Sequence, residues 1–310
     1  MQNNDTKFNS ESLEKASGAI GIRMTNDYLF RALMQRNNKV LKAFICSLLH
    51  LTMKSVCTVE IKNPIELGKH IDDKDFFLDI KVQLDHHTVI NLEMQVLNEG
   101  NWPERSLVYL CRSFDGLQKG EDYNEIKSAI HISILDFTLF PQYPEFFATY
   151  WMTNEKNHNI YSRKFRLSVL DLKQIELATE EDRKYKIDYW ANLFKSTTWE
   201  ELKMIAKSDE YIREAVDTVY QLSKEEQIRL QCEAREDYYR RMRRMEKLME
   251  ENKQLTAKYQ QISTEHQQIS AEYQQISAEH EQLQKENKNM EDEIIRLKQL
   301  LREQRKTDYI

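Results

Sequence analysis

Apolar positions along the chain change period several times, and each change predicts an element. The first twenty residues are polar and aperiodic, which predicts a loose tail, with order starting near Ile22. From Asn26 to about Leu51, Tyr28, Leu29, Leu33, Leu41, Phe44, Ile45, Leu48 and Leu49 recur mostly at helical spacing, with Thr25 placed to cap the helix. Val56 to Ile61 alternates as a strand does. After the polar connection NPIELGKHIDDKD, Phe76 to Gln83 and Val89 to Val96 read as paired strands, with Leu84 to Thr88 as their turn. Helical spacing returns from Trp102 to Lys119 and stops at Gly120. Ile130 to Phe140 has strand composition and is closed by Pro141 and Pro144. Extended segments follow from Phe146 to Leu172 around TNEKNHN, then helices over EDRKYKIDYWANLFK and from Trp199 to Tyr220.

The remaining chain is a continuous charged helix with an internal repeat from Tyr259: YQQISTE, HQQISAE, YQQISAE, HEQLQKE, NKNMEDE. Its period is that of a coiled coil. With Ile262, Ile269, Ile276, Leu283 and Met290 at d, the a positions are Tyr259, His266, Tyr273, His280 and Asn287. Glu265, Glu272, Glu279 and Glu286 at g would face one another in an antiparallel pair, whereas in a parallel pair they face the neutral e positions Ser263, Ser270 and Ser277. The expectation is a parallel homo-oligomer through residues 245–304. The expected order is a disordered tail over 1–20, an α/β core over 21–175, a helical extension over 176–240 and a coiled coil over 241–306.

Composition narrows the class. The chain has 45 basic and 51 acidic residues, and this balance alone decides nothing about a nucleic-acid partner. Cys46, Cys57, Cys111 and Cys232 are scattered without CxxC spacing, which disfavours a zinc site or a disulfide framework and fits a reducing cytoplasm. No run approaches the roughly 18 apolar residues of a membrane span, so no membrane role is expected.

Candidate chemistry lies in LDIKVQLDHHTVINLEMQV, residues 78–96, where Asp79 and Glu93 occupy strand positions that a core would fill with apolar residues. In a hairpin the two sit side by side near its open end, and Gln95 shares the face of Glu93 because strand side chains alternate. Two converging carboxylates suit Mg2+, which takes oxygen ligands and keeps several waters. Gln95 can orient a water or a phosphate oxygen but cannot act as a general base. The competing reading is a pair of carboxylates on the solvated face of a hairpin. Asp85-His86-His87 is a turn whose adjacent histidines point apart, and so is expected to be structural. The basic run Arg240, Arg241, Arg243, Arg244 and Lys247 is either a phosphate contact or a solvated helix face.

The stretch from Thr25 to about Lys195 resembles the Rpn-like family of recombination-promoting nucleases and transposases, a branch of the PD-(D/E)XK nuclease superfamily. TNDYLFRALM, NPIEL, DDKDFFLDIKV, INLEMQV, PERSLVYLCRSFDGLQKGEDY, FRLSVLDLK and YWANLFK carry the resemblance, in that order. It implies a restriction-endonuclease-like α/β core, a mixed central sheet flanked by helices. It also implies a Mg2+-dependent (or Mn2+-dependent) DNA endonuclease in a recombination or mobile-element setting. Asp79, Glu93 and the main-chain carbonyl of Met94 would be metal ligands, and Gln95 would stand where the superfamily often has Lys. Asp27, Lys74, Arg105 and Tyr109 are accessory candidates: Asp27 as a further acidic group or a helix cap, Lys74 near the phosphate, and Arg105 with Tyr109 on one helical face toward DNA. The alternative is a catalytically inactive nuclease fold that binds DNA and assembles through its coil.

Overall fold

The structure is a computed structural model that describes residues 13–65, 67, 79–114 and 120–307, with side chains described through Arg302. Two compact units divide at Arg243 and Arg244.

In the first unit the N-terminal helical region is two helices rather than one. α1 (Asp27–Arg36) is capped by Asn26, not Thr25: the Asn26 side chain accepts from the amides of Tyr28 and Leu29. Asn37 leaves helical geometry and caps α2 (Asn38–Leu48) in the same way. An Asn side chain competes for backbone donors, so a helical apolar period can continue through a break. Order also starts earlier than the expected Ile22. Leu13 is buried, the Ile20 amide donates to the Thr197 carbonyl, and the Gly18 amide donates to the Glu200 carboxylate.

Among the described residues six strands follow: β1 (Val59–Ile61), β2 (Ile80–Leu84), β3 (Thr88–Gln95), β4 (Ser128–Leu135), β5 (Phe147–Trp151) and β6 (Phe165–Asp171). They form one mixed sheet in the order β1-β2-β3-β4-β6-β5, parallel at β3–β4 and β4–β6 and antiparallel elsewhere. The expected hairpin is present, with Asp85 and His86 at positive φ in its turn. Asp85 accepts from the amides of Cys57 and Thr58, which ties the turn to the start of β1. The crossover between β3 and β4 carries α3 (Trp102–Phe114), which follows the expected helical period as far as the described residues run; the expected continuation over 115–119 lies outside them. β4 ends at Leu135, not Phe140. Leu135 is its last residue paired with β3, and bends follow before the prolines.

Further α-helices of this unit, among the described residues, are α4 (Glu180–Lys184), α5 (Ile187–Lys195), α6 (Trp199–Ala206), α7 (Glu210–Lys224) and the first part of α8 (Glu226–Thr307). Both expected single helices here are therefore pairs, broken at the left-handed Lys186 and at Asp209, which caps α7. One sheet face (Ile80, Val82, Ile90, Leu92, Ile132) joins α1, α2, α5 and α7 in the main core. At its centre Phe44 meets Phe30, Phe194 and Trp190 edge to face, at centroid distances of 5.1–6.1 Å. The opposite face is covered by α3 and presents polar side chains.

The second unit, Arg244–Ile310, carries the rest of α8, which runs to Thr307. Its d positions Ile262, Ile269, Ile276, Leu283 and Met290 are exposed in the single chain.

Candidate active site

Antiparallel pairing of β2 with β3 ends at Ile80 opposite Leu92. Continued by one residue, that register sets Asp79 opposite Glu93, so both carboxylates belong to the face that α3 covers. Glu93 is buried at 6% exposure, and its Oε1 accepts from the Arg105 guanidinium at 2.7 Å. Its Oε2 is buried without a hydrogen-bond partner. Burial pushes the Glu93 carboxyl up to about 7; Arg105 opposes this, while the charges of Asp79 and Asp27 reinforce it. The Asp79 carboxyl is likewise raised by burial, against the pull of Arg31, Arg105 and Lys81. Desolvation therefore outweighs the nearest cation at Glu93, as expected where the low-dielectric penalty is large.

The backbone beneath the pair is held from α1. Arg31 is fully buried and donates to the main-chain carbonyls of Asp79 and Asn63. The Asn63 amide donates to the same Asp79 carbonyl at 3.0 Å, and its Oδ1 accepts from the Lys81 amide. Burial lowers the Arg31 pKa to about 10, so the cation persists at neutral pH. On β3 the Gln95 carbonyl accepts from the Asp136 amide on the β4 side. Strand alternation therefore turns the Met94 carbonyl toward the β2 side, past the last ladder pair. The Gln95 side-chain nitrogen donates to the Leu97 carbonyl at 2.9 Å, which orients its amide beside Glu93.

Among the described residues no three His, Cys, Asp or Glu side chains converge as a metal-binding group. Two carboxylates with a main-chain carbonyl still fit Mg2+, which is commonly held by one or two carboxylates together with water and substrate phosphate. The unpartnered Oε2 of Glu93 is the observation that fits: a buried carboxylate oxygen without a donor is where a hard cation offsets the cost of desolvation.

A nuclease family matches residues 24–248, described as the PD-(D/E)XK nuclease family transposase. The chain belongs to that family. No curated protein and no solved structure matches it. The mixed six-stranded sheet flanked by helices is consistent with the PD-(D/E)XK α/β fold. PD-(D/E)XK nucleases generally use divalent metal ions, and the family implies a DNA substrate. No described helix is long and apolar enough to cross a membrane.

The accessory candidates of this family member separate in space. Asp27 is buried and bound by Arg235, whose Nε donates to Oδ1 at 2.9 Å while a terminal nitrogen donates to Oδ2. Arg105 reaches Glu93 itself and lies over the rings of Trp102 and Tyr109. Tyr109 is stacked on the buried His131, 6.0 Å between centroids, and burial raises its phenol to about 12. Lys74 lies outside the described residues.

Sequence reasoning missed Arg31, Arg235 and Tyr239. Asp27 and Arg31 are one helical turn apart in TNDYLFRALM, a spacing that puts both on one face of α1. Ile228, Cys232, Arg235 and Tyr239 follow a helical stripe at the root of α8, all buried, whereas Arg240, Arg241, Arg243 and Arg244 are exposed. The signal is a cation inside an apolar stripe, beside a basic run that lies on the solvated face of the same helix.

Proposed function

We propose that the protein is a divalent-metal-dependent DNA endonuclease in which Asp79, Glu93 and the Met94 carbonyl hold Mg2+ or Mn2+. The buried, unpartnered Oε2 of Glu93 beside Asp79 carries this reading. A bound cation would supply charge stabilisation at the attacked phosphate and an acidified water. Arg105 holds Glu93 Oε1 and leaves Oε2 for the cation. Gln95, anchored through its nitrogen on Leu97, leaves its carbonyl oxygen to accept from a water and fix its direction. Arg31 and Asn63 fix the backbone of Asp79, so the pair is set before substrate arrives, which is what precise positioning demands.

The exposed isoleucines and leucines at d on α8 support self-association, and the g-position glutamates favour a parallel arrangement. Two linked copies would offer two sites, one for each strand of a duplex. The second reading, an inactive DNA-binding and assembly protein, is separated from the first by plasmid nicking. The full chain is assayed with Mg2+, with Mn2+ and with chelator, beside Asp79→Asn and Glu93→Gln. Nicking that needs the metal, and that falls by about a hundred- to a thousandfold in either variant, is expected from the loss of several kcal/mol of charge stabilisation. Absence of nicking by the wild type leaves only the binding reading; nicking unchanged in both variants removes Asp79 and Glu93 from the reaction.

A further inference from the structure

Beyond the carboxylate pair, on the same sheet face, β2 and β3 floor a groove of about 510 Å³, bounded by the end of α3 and the segment before β4. Lys81 is the next residue after Asp79 to share its face of β2. Arg112 lies two helical turns beyond Arg105 on α3, and Lys127 directly precedes β4. All three line the groove, are exposed, and have no ion pair among the described residues. Lys62 also lines it but is held by Glu60 at 2.6 Å. Glu121 and Glu125 stand at the groove as well, so its field is positive but not uniformly so. In a chain of net charge −6, three uncommitted cations converging beside two desolvated carboxylates form a local electropositive site for an anionic ligand.

The dimensions suit a polymer. Four residue steps, from Asp79 just before β2 to Gln83 on it, span about 13 Å, and Arg105 to Arg112 spans about 10 Å of helix. That is room for about four nucleotides of one strand at about 3.4 Å each. The lining is equally informative about what is read. Its aromatic residue, Phe114, is committed edge to face against Phe165 at 5.4 Å, so no free ring is offered for base stacking. Ammonium and guanidinium groups bind phosphate without regard to sequence.

We infer that this groove holds the phosphodiester backbone of the strand on one side of the cut, with Lys81, Arg112 and Lys127 as phosphate contacts and no base readout. The inference rests on the nuclease reading and adds to it the path and sequence-independence of the substrate strand.

Binding is measured without divalent metal, by fluorescence anisotropy of a labelled duplex over a salt series. The full chain is compared with the triple variant Lys81→Gln, Arg112→Gln, Lys127→Gln, whose circular dichroism and melting temperature confirm folding. Loss of three phosphate contacts is expected to flatten the slope of log K against log salt by about 2.7 and to weaken binding at least tenfold at about 0.1 M salt. A second duplex of unrelated sequence should bind the wild type equally well. An unchanged slope in the triple variant while the wild type binds and nicks DNA overturns the groove and leaves the nuclease reading standing. So does a slope reduced instead by Arg240→Gln, Arg241→Gln, Arg243→Gln. Marked preference for one duplex overturns the absence of base readout. If the wild type neither binds nor nicks DNA, the nuclease reading itself falls and the groove with it.

Discussion

On one face of the central sheet, Ile80, Val82, Leu92 and Ile132 join α1 and α2 in a single apolar cluster; on the other, Asn91, Glu93, His131 and Ser133 are equally buried but meet α3 through polar groups. The same strands supply both faces, residue by residue. The apolar face needs only complementary volume, and its energetics follow the area removed from water. Each polar group on the second face needs a specific partner. Asn91 pairs with His131 at 3.1 Å, the Trp102 indole donates to Ser133, and Arg105 donates to Glu93. Where a partner is missing, as at Glu93 Oε2 and His131 Nε2, the cost of burial stays in the fold. One face is thus built for stability, and the other gives up stability to hold polar and charged groups out of water.

The largest effect on that contrast is expected from the apolar side. Phe44→Ala removes the ring at the centre of the aromatic cluster and should cost roughly 4 kcal/mol of unfolding free energy. Denaturant melts read this directly, and a loss below 1 kcal/mol would show that the cluster is not what holds α2 to α5. Asp79→Asn, in contrast, should remove nicking with little change in the melt, because its carboxyl is already disfavoured as an anion by burial.

Next comes a charge pair that belongs to the fold and whose acid, Asp27, adds to the field at Glu93. Arg235→Ala leaves Asp27 buried without its guanidinium and should destabilise by roughly 3 kcal/mol. The double variant Asp27→Leu, Arg235→Met should recover most of that loss, since both charges go together. If the single variant is as stable as the wild type, the pair is not the buried contact that ties α8 to α1.

Near neutral pH the smallest effect comes from the polar face, and it grows as pH falls. Burial lowers the His131 imidazole to about 3, from an ordinary value near 6.5. Between these values the unfolded chain binds a proton that the native state refuses. His131 therefore contributes nothing to the pH dependence above about pH 6.5, and stability falls as pH drops toward 3, by about 1.4 kcal/mol per unit. Glu93, with its carboxyl raised to about 7, acts in the opposite sense: its contribution is full below about 4.5 and is lost as pH rises through 7. Comparing wild type with His131→Gln isolates the histidine, and the stability difference between them should change steadily from pH 6.5 downward. A constant difference over that range would place His131 in contact with water.

Much of this protein is legible in its sequence because alternation and helical period are local. The hairpin of residues 80–95, α3 starting at Trp102, and the shared face of Asp79 and Glu93 all follow from which neighbours a side chain has along the chain. Breaks are less legible: Asn37, Lys186 and Asp209 interrupt helices whose apolar spacing runs on, because a cap competes with one more helical turn by only about 1 kcal/mol. What tertiary structure alone decided are the partners brought from far along the chain. Asp27 finds Arg235 across 208 positions, and Arg31 reaches the Asp79 backbone across 48. Glu93 is left with one oxygen bound to Arg105 and one unpartnered. Sequence determined that two carboxylates would share a strand face. Only the tertiary packing, α3 over that face above all, determined how strongly they are desolvated, because desolvation depends on every atom that excludes water and not on the residue's own identity.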